Sequence, residues 1–361
     1  MLREFDDQPF LKPPKMLHTC IKAFLFSLLA LTGVVGIAHA QSFDTGNNPV
    51  QYIVAPETPG PFAPVNIEVQ GVGTFLGNAT VTWQENGQTM ASGPGISSFA
   101  FTTGGIGSVT AIHLIIDSAT EGTITQDFVF APSLVDMVWE ANTSVPSMYL
   151  GKALYSAGST VKVVAFPIVA QGTSLVAASK LSYQWSNNQN PVPEASGLGK
   201  NTFTFQGSEI EGGESVSVDV YLGGTKVAHG DLAIPAVSPQ VILYDNDPLQ
   251  GEILDQALVG SFNLSSDEVD LKAEPYYFAN ESLEDGALTY NWTLNGQETS
   301  GPDSSQGLLT LRQTGSGAGA AQIGVAVQNT DNDKLVQSAS TALTLAFGQT
   351  SGSAVSSFFG L

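Results

Sequence analysis

The first of three similar stretches reads Val81-Thr82-Trp83-Gln84-Glu85-Asn86-Gly87-Gln88. The second is Tyr183-Gln184-Trp185-Ser186-Asn187-Asn188-Gln189, and the third is Tyr290-Asn291-Trp292-Thr293-Leu294-Asn295-Gly296-Gln297. Their tryptophans lie 102 and 107 residues apart. A repeat of about 100 residues has the length of a whole domain rather than of a solenoid unit. The sequence therefore predicts three domains in tandem.

Segments with alternating apolar residues flank each tryptophan stretch, which is typical of half-buried strands. Upstream they are 65–69, 161–167 and 269–275. Downstream they are 108–116, 215–222 and 321–327, and each unit closes with a further strand at 123–130, 225–234 or 335–347. Each unit thus reads as a strand, a loop, the tryptophan strand, a hairpin and two more strands.

Two of the hairpins carry a strong turn signal. Asn86-Gly87 and Asn295-Gly296 suit a type I′ turn, in which both central residues need positive φ. A buried tryptophan on an inner strand, short strands and about 100 residues per unit are typical of immunoglobulin-like sandwiches. We predict an all-β chain of three tandem immunoglobulin-like β-sandwich domains, at 46–132, 133–238 and 239–347, followed by a flexible tail at 348–361.

The N-terminal region resembles a secretory signal. Lys22 precedes an apolar run at 23–37, and Ala-His-Ala at 38–40 is a small-x-small cleavage site. The run is too short for a membrane span, so we expect cleavage before Gln41 and no transmembrane segment beyond the signal. Residues 1–40 then form an N-terminal extension and signal peptide, with Met16 a better start than residue 1. The protein is expected at the cell surface, in the extracellular space or in the periplasm.

Composition excludes several functions. The chain has 12 Lys and Arg against 33 Asp and Glu, a net charge of −21, so it repels nucleic-acid phosphates. Its single cysteine, Cys20, lies inside the predicted signal. The exported chain then has no disulfide and no thiol nucleophile, and valine and isoleucine are expected to take the place of the antibody cysteines.

Units two and three are more alike than either is to the first, with Val138 aligned to Leu243. The stretches Trp139-Glu140-Ala141-Asn142, Gly151-Lys152-Ala153-Leu154, Val164-Ala165-Phe166-Pro167 and Tyr290-Asn291-Trp292 resemble a family of tandem Ig-like or PKD-like, cysteine-free surface proteins of uncultured bacteria. Some of that family are encoded near type IV pilus genes. The resemblance covers 134–347 and implies a surface or pilus-associated structural role, with no catalytic residues to transfer.

Groups able to catalyse are scarce. After residue 40 only His113 and His229 remain, and they fall in different predicted domains. Ser159 and Lys162 fit a Ser-x-x-Lys pattern, but they open a strand, where they point to opposite faces. We predict that the protein is not an enzyme and holds no organic cofactor.

Calcium is the ligand that the acidic residues make plausible. Asp245 and Asp247 are placed at the predicted junction of units two and three, and Asp331 and Asp333 lie in a late loop of unit three. Carboxylate oxygens are hard ligands suited to Ca²⁺. The alternative is that these residues form ordinary turns, in which Asp accepts hydrogen bonds from its own backbone.

Two further surfaces are candidates for binding. One is an aromatic face for glycan, whose alternative is core or inter-domain packing; its residues are Trp139, Tyr149, Tyr155, Tyr244, Tyr276 and Tyr277. The other is the tail, where Phe358 and Phe359 could dock on a partner. Two functions follow: a structural spacer or adhesion module contacting other surface, pilus or envelope proteins, or a carbohydrate- or peptide-binding module of the envelope.

Overall fold

A computed structural model describes most of the chain after residue 40. The described residues are 41–43, 50–71, 75–147, 149–210, 212–264, 266–279, 288–315, 317–329 and 336–348. The predicted signal peptide lies outside them, as do Asp331, Asp333, Phe358 and Phe359.

Unit 1 is a sandwich of two four-stranded sheets. Its strands are β1 (Gln41–Phe43), β2 (Val50–Ala55), β3 (Pro64–Gly71), β4 (Thr80–Glu85), β5 (Gln88–Pro94), β6 (Ser98–Thr102), β7 (Thr110–Ser118) and β8 (Gly122–Phe130). One sheet has the order β1-β2-β3-β6 and the other β5-β4-β7-β8, all antiparallel. A single helical turn, α1 (Phe75–Asn78), precedes the tryptophan strand.

Unit 2 repeats this plan after a connection at 131–133. Its strands are β9 (Leu134–Asn142), β10 (Thr160–Ile168), β11 (Ala170–Gln171), β12 (Ser174–Leu175), β13 (Ser182–Asn187), β14 (Asn190–Pro191), β15 (Gly197–Leu198), β16 (Thr202–Gln206), β17 (Glu214–Leu222) and β18 (Thr225–Ile234). One sheet has the order β16-β10-β9, and the other is β14-β13-β17-β18 with β15 beside β13. The strands β11 and β12 form a separate hairpin.

Unit 3 follows a connection at 235–239 and adds strands at its edges. Its strands are β19 (Gln240–Asp247), β20 (Gly251–Leu258), β21 (Gly260–Asn263), β22 (Glu268–Tyr276), β23 (Leu288–Leu294), β24 (Gln297–Thr299), β25 (Leu308–Arg312), β26 (Gly319–Asn329) and β27 (Ser338–Phe347). The sheets have the orders β20-β19-β22-β25 and β21-β27-β26-β23-β24. Strand β21 pairs with β27 in parallel.

Each repeat tryptophan occupies the middle of its sandwich. Trp83, Trp185 and Trp292 are at most 2% exposed and lie on strands β4, β13 and β23. Every indole N–H donates to a backbone carbonyl in the segment that leads to the opposite sheet. The acceptors are Ile96 (3.0 Å), Lys200 (2.9 Å) and Ser304 (3.2 Å). One side chain thus links the two sheets of each unit.

Aliphatic side chains complete the three cores without a disulfide. Strands on either side of the tryptophans place fully buried residues there, including leucine as well as the expected valine and isoleucine. They are Ile67 and Leu114 in unit 1, Val163 and Val218 in unit 2, and Leu271 and Val325 in unit 3. Burying each large apolar side chain stabilises the fold by about 1.5–3 kcal/mol, and the sum of these contributions takes the place of the covalent link.

The all-β architecture of tandem immunoglobulin-like sandwiches is confirmed. The strand predicted at 225–234 is β18, and that predicted at 161–167 lies within β10. The first strand of each unit and the strand that follows the hairpin, such as β6, were not predicted from the sequence. In all three units that second strand has five residues, and in β6 and β16 two phenylalanines alternate with small or polar residues.

The alignment of Val138 with Leu243 is wrong by one residue. Met137 lies opposite Ala165 in the ladder of unit 2, and Leu243 lies opposite Ala273 in unit 3. Both alanines stand two residues before a proline, so Leu243 corresponds to Met137. A shift of one residue would exchange the buried and exposed faces of the strand.

All three tryptophan hairpins turn through two residues of positive φ. The angles are +49° and +82° at Asn86-Gly87, +53° and +80° at Asn295-Gly296, and +48° and +67° at Asn188-Gln189. The third turn has no glycine. A glutamine in the left-handed region carries a steric cost that glycine avoids.

Replacing Gln189 by glycine should therefore stabilise unit 2, by about 0.5 kcal/mol once the greater freedom of the unfolded chain is subtracted. The reverse change Gly296→Gln should destabilise unit 3 by a similar or larger amount. Hydrogen exchange of amides in β13 and β23 measures each unit separately. A loss of protection in Gln189→Gly would show that the turn is not strained.

Candidate functional site at the junctions between units

Main-chain hydrogen bonds join units 2 and 3. The backbone N–H of Ser144 donates to the carbonyl of Phe278 (2.9 Å), and the N–H of Tyr277 donates to the carbonyl of Ser144 (2.7 Å). The Ser144 hydroxyl also accepts the N–H of Phe278 (2.9 Å). Ser144 belongs to the long connection after β9, and the other two residues follow β22. Both Ser144 and Phe278 are buried, so these bonds are shielded from water.

A buried glutamine forms the second part of this junction. The side-chain amide nitrogen of Gln337 donates to the Ser156 hydroxyl (3.1 Å) and to the Ala157 carbonyl (3.0 Å) in unit 2. Its amide oxygen accepts the N–H of Ala279 in unit 3 (2.6 Å). Asn329 holds the same segment by donating to the Ala279 carbonyl (2.8 Å). A buried polar network satisfied from both sides fixes the register of the two units.

Tyrosines line the same junction. The hydroxyls of Tyr149 and Tyr277 lie 2.9 Å apart, as do those of Tyr244 and Tyr276 at 2.8 Å. Tyr149 packs edge-on against Tyr276, with ring centroids 5.8 Å apart. Tyr155 is fully buried in unit 2. These rings contribute packing between and within units, so they do not form the exposed aromatic face considered for glycan.

The sixth aromatic residue, Trp139, is half-buried and covered by a lysine. The ammonium of Lys152 lies 3.2 Å from the centroid of its ring. Burial lowers the pKa of Lys152 below its usual value. The contact is a cation–π pair within unit 2.

Glu274 is a buried carboxylate on β22 beside this junction. Burial raises its pKa to about 7, and the charge of Glu252 adds to the effect. Lys272 opposes the shift, with its ammonium 3.6 Å from the Glu274 carboxylate. Because the pKa of Glu274 is higher in the fold than in a free chain, it makes unit 3 less stable as pH rises toward neutrality.

Units 1 and 2 are joined by charged side chains instead. The ammonium of Lys226 lies 2.9 Å from Asp219 in its own unit and 3.3 Å from Glu57 of unit 1. The side chains of Lys226 and Glu57 are only 16% exposed, so solvent screens their attraction weakly. Ser133, in the connection, donates its hydroxyl to the carbonyl of Val227.

His229 completes the ionic junction. Its Nδ1 lies 2.6 Å from Asp219 and its Nε2 lies 2.9 Å from Asp231. Only the protonated imidazole can donate from both nitrogens. The hydrogen bond to Asp219 raises the pKa of His229 against the opposing effect of burial. Burial alone would raise the pKa of Asp219, but hydrogen bonds from His229 and Lys226 outweigh it and hold that pKa low.

Of the two described calcium candidates, Asp247 makes the contacts of a turn residue, whereas Asp245 lies within strand β19. One Asp247 oxygen accepts the backbone N–H groups of Leu249 (2.8 Å) and Gln250 (2.9 Å). Burial raises the pKa of Asp245, and the charges of Asp247 and Asp270 raise it further. Among the residues that the structure describes, no three His, Cys, Asp or Glu side chains are grouped to hold a metal ion.

The predicted place of this pair at the junction is wrong. Strand β19 begins near unit 2, where Gln240 pairs with Tyr276, but Asp245 pairs with Leu271 five residues further along. At about 3.3 Å per residue the strand carries Asp245 roughly 16 Å away from the junction. The second pair, Asp331 and Asp333, lies outside the described residues.

The residues considered for catalysis make contacts that do not bring them together. His113 forms a surface pair with Asp127, 2.6 Å apart. Ser159 is buried and donates its hydroxyl to a carbonyl three residues earlier, whereas Lys162 faces Glu140 at 3.6 Å on the outer surface. The Ser-x-x-Lys pattern therefore places its two groups apart, as expected for a strand.

Comparisons with known proteins show likeness of fold. No protein-family model matches the sequence, and no curated protein is significantly similar to it. Among solved structures, the chain is similar to the central fibronectin-III array of RIM-binding protein, with 12% identity over 85% of this chain and all of that one (TM-score 0.30). It is also similar to the Bacteroides ovatus glucan-utilisation protein SGBP-B in complex with a mixed-linkage heptasaccharide (9%, 80% and 66%, TM-score 0.23) and to a bacterial ice-binding adhesin (12%, 80% and 90%, TM-score 0.21). Likeness at this level carries no information on function.

The ionic junction predicts a pH dependence. The pKa of His229 is raised above its ordinary 6.5, so its stabilisation is complete below pH 6.5 and is lost as pH rises through the folded value. His229→Gln should flatten this fall in stability above pH 6.5. The matched control is His113→Gln, which removes a histidine–aspartate pair of unit 1. Protection of β17 amides from hydrogen exchange is the measure, because Glu274 titrates in unit 3. An unchanged pH slope in His229→Gln would contradict the assignment.

Proposed function

We propose that the protein is an exported, non-catalytic spacer of the cell surface, in which three sandwiches are held in fixed orientation to present or support a partner. The observation that carries this proposal is the buried junction of units 2 and 3. Its hydrogen bonds would serve no purpose in a chain of independent modules joined by flexible linkers. Breaking them would leave buried donors and acceptors unsatisfied, at about 1–3 kcal/mol for each group.

Other observations support a surface location. The resemblance over 134–347 points to surface or pilus-associated proteins, so partners are other surface proteins or components of a pilus or envelope. The net charge of −21 favours solubility and disfavours contact with anionic lipid. As a finding separate from location, none of the helical segments among the described residues has the length and hydrophobicity of a membrane span.

Export predicts cleavage before Gln41. In the described part of the chain, residues 41–43 form strand β1, which pairs with β2. Chain recovered from intact bacteria should have Gln41 as its N-terminal residue and should be digested by added protease without cell lysis. Replacing Ala40 by a bulky residue such as tryptophan should leave the precursor uncleaved. Recovery of a full-length, protease-protected chain from the cytoplasm would reject export.

A spacer also predicts a narrow distribution of distances between units 2 and 3. The chain after residue 40 has no cysteine, so spin labels can be attached at Thr204→Cys and Glu298→Cys, two exposed sites. Electron–electron distance measurement should give one sharp peak. Gln337→Ala should broaden it, because the amide bonds to Ser156, Ala157 and Ala279 are lost.

The control for that experiment is Gln328→Ala, which removes an exposed glutamine from the same unit and should leave the peak unchanged. A broad distribution in the unaltered protein would reject the spacer. Equal broadening in both variants would show that the effect is a general loosening of unit 3.

A further inference from the structure

The end of unit 3 that lies farthest from unit 2 contains an open apolar cavity. Its volume is about 490 Å³, within the range of about 300–1,000 Å³ found for ligand pockets. Apolar side chains from both sheets line it, and most are only half-buried. They include Leu264, Leu294, Leu311, Ala321, Leu345 and Phe347. The core of unit 3 therefore opens to solvent at this end.

Unit 2 closes the corresponding end with an aromatic side chain. Tyr155, from the connection between β9 and β10, is fully buried against Gly207, where even a Cβ atom would lie 2.4 Å from its ring. Its hydroxyl donates to Glu214, the first residue of β17, at 3.0 Å. The segment of unit 2 that precedes β17 and contains Gly207 corresponds in unit 3 to the segment before β26, which lines the cavity. In unit 2, therefore, Tyr155 fills the place that is equivalent to the open cavity of unit 3.

Unit 1 closes its end with the connection between β2 and β3. Thr103 is buried and donates its hydroxyl to the Gly60 carbonyl (2.8 Å), while accepting the N–H of Ala63 (2.9 Å). The N–H of Phe62 donates to the carbonyl of Gly104 (3.0 Å). In both earlier units, then, the segment before the second long strand folds under the core.

Unit 3 uses that segment differently. Between β19 and β22 its chain forms β20 and β21, which pair with β19 and β27 at the edges of the two sheets. A segment extended along the sheet edges is not available to fold under the core. The opening is therefore a consequence of the topology of unit 3.

The rim of the cavity is preformed. The side-chain amide of Gln313 donates to the carbonyls of Gly315 (2.6 Å) and Gly317 (2.8 Å), which holds the loop before β26. Arg312 donates from Nε to Glu268 (2.6 Å) on one side of the opening. An apolar occupant would thus enter a shaped site with a polar rim, as is usual for pockets that bind small apolar groups.

We propose that this cavity is the docking site of the chain's own segment 349–361, with the rings of Phe358 and Phe359 as the inserted groups. The preceding strand delivers the chain to the cavity: Phe347 lines it, and Gly348, with φ of +67°, passes so close to Gly317 that a Cβ atom would lie 2.7 Å from its carbonyl oxygen. Segment 349–357 is rich in Gly, Ser and Thr.

The tether has a suitable length. Nine residues lie between Gly348 and Phe358, a span of ten Cα–Cα steps, which gives a typical end-to-end distance of about 17 Å and a limit of about 33 Å. A tether of this length also supplies an effective concentration in the millimolar range, so the chain's own segment outcompetes that of another copy.

Disulfide trapping tests this docking, since the chain from residue 41, which contains every described element, has no cysteine. One variant combines Gly360→Cys with Thr314→Cys, an exposed residue of the cavity rim. The matched control combines Gly360→Cys with Thr344→Cys, exposed on β27 and outside the lining. Docking predicts an intramolecular disulfide that forms at least about tenfold faster in the first pair. Changing both Phe358 and Phe359 to serine should abolish that preference.

Equal rates in the two pairs, or a preference that survives the serine changes, would overturn the proposal, because a free tail would reach both sites. No trapping at either pair would overturn it as well. Disulfide-linked dimers in place of the intramolecular product would assign the cavity to a second copy.

Discussion

The hydrogen bond from each repeat tryptophan to the opposite side of its sandwich is the contact on which the rest of the structure depends. Without cysteines, a two-sheet domain needs another link across its core. The indole supplies it by filling the space between the sheets and by donating to a carbonyl in the segment that leads to the other sheet, as Trp185 does to Lys200. The same geometry recurs at Trp83 and Trp292, although the acceptor residues share no side-chain chemistry. Because the acceptor is a backbone carbonyl, sequence can vary freely at that position.

Local patterns made the tryptophan strand, the strand before it and the two long strands after it predictable in each unit, together with two of the three hairpins, because period-2 alternation and an Asn-Gly turn are visible within a few residues. The Asn188-Gln189 turn adopts the same positive φ values without a glycine, so its signal was only half present. The candidate site was harder to predict from the sequence. Gln337 and Ser156 are 181 positions apart, and nothing in either local sequence marks them as partners. The calcium pair was misplaced for a related reason: sequence order puts Asp245 near a domain boundary, whereas strand β19 carries it to the other end of its unit.

The two junctions are held by different kinds of contact, and they therefore respond differently to salt and pH. Units 2 and 3 meet through neutral amides, hydroxyls and main-chain groups, whose attraction depends little on salt or pH. Units 1 and 2 meet through Lys226, Glu57, Asp219 and His229, a cluster in which two cations face carboxylates of both units. Partial burial strengthens the attraction between these charges. When His229 loses its proton, one of the two positive charges of the cluster is lost. The junction of units 1 and 2 is therefore the one whose contacts change with pH, whereas the hydrogen bonds that join units 2 and 3 involve no charged group.

The segment between the first two long strands of each unit explains why three similar domains are not interchangeable. A chain of fixed length can either fold beneath the core, as Tyr155 does, or extend along a sheet edge, as β21 does beside β27. The first choice closes the hydrophobic interior but leaves edge strands to be covered by neighbours, as Ser133 covers the carbonyl of Val227 at the start of β18. The second choice protects an edge, which would otherwise offer unpaired backbone groups to another chain, and leaves the interior open. In unit 3 the edge is protected, so apolar burial at its far end has to come from residues outside the sandwich.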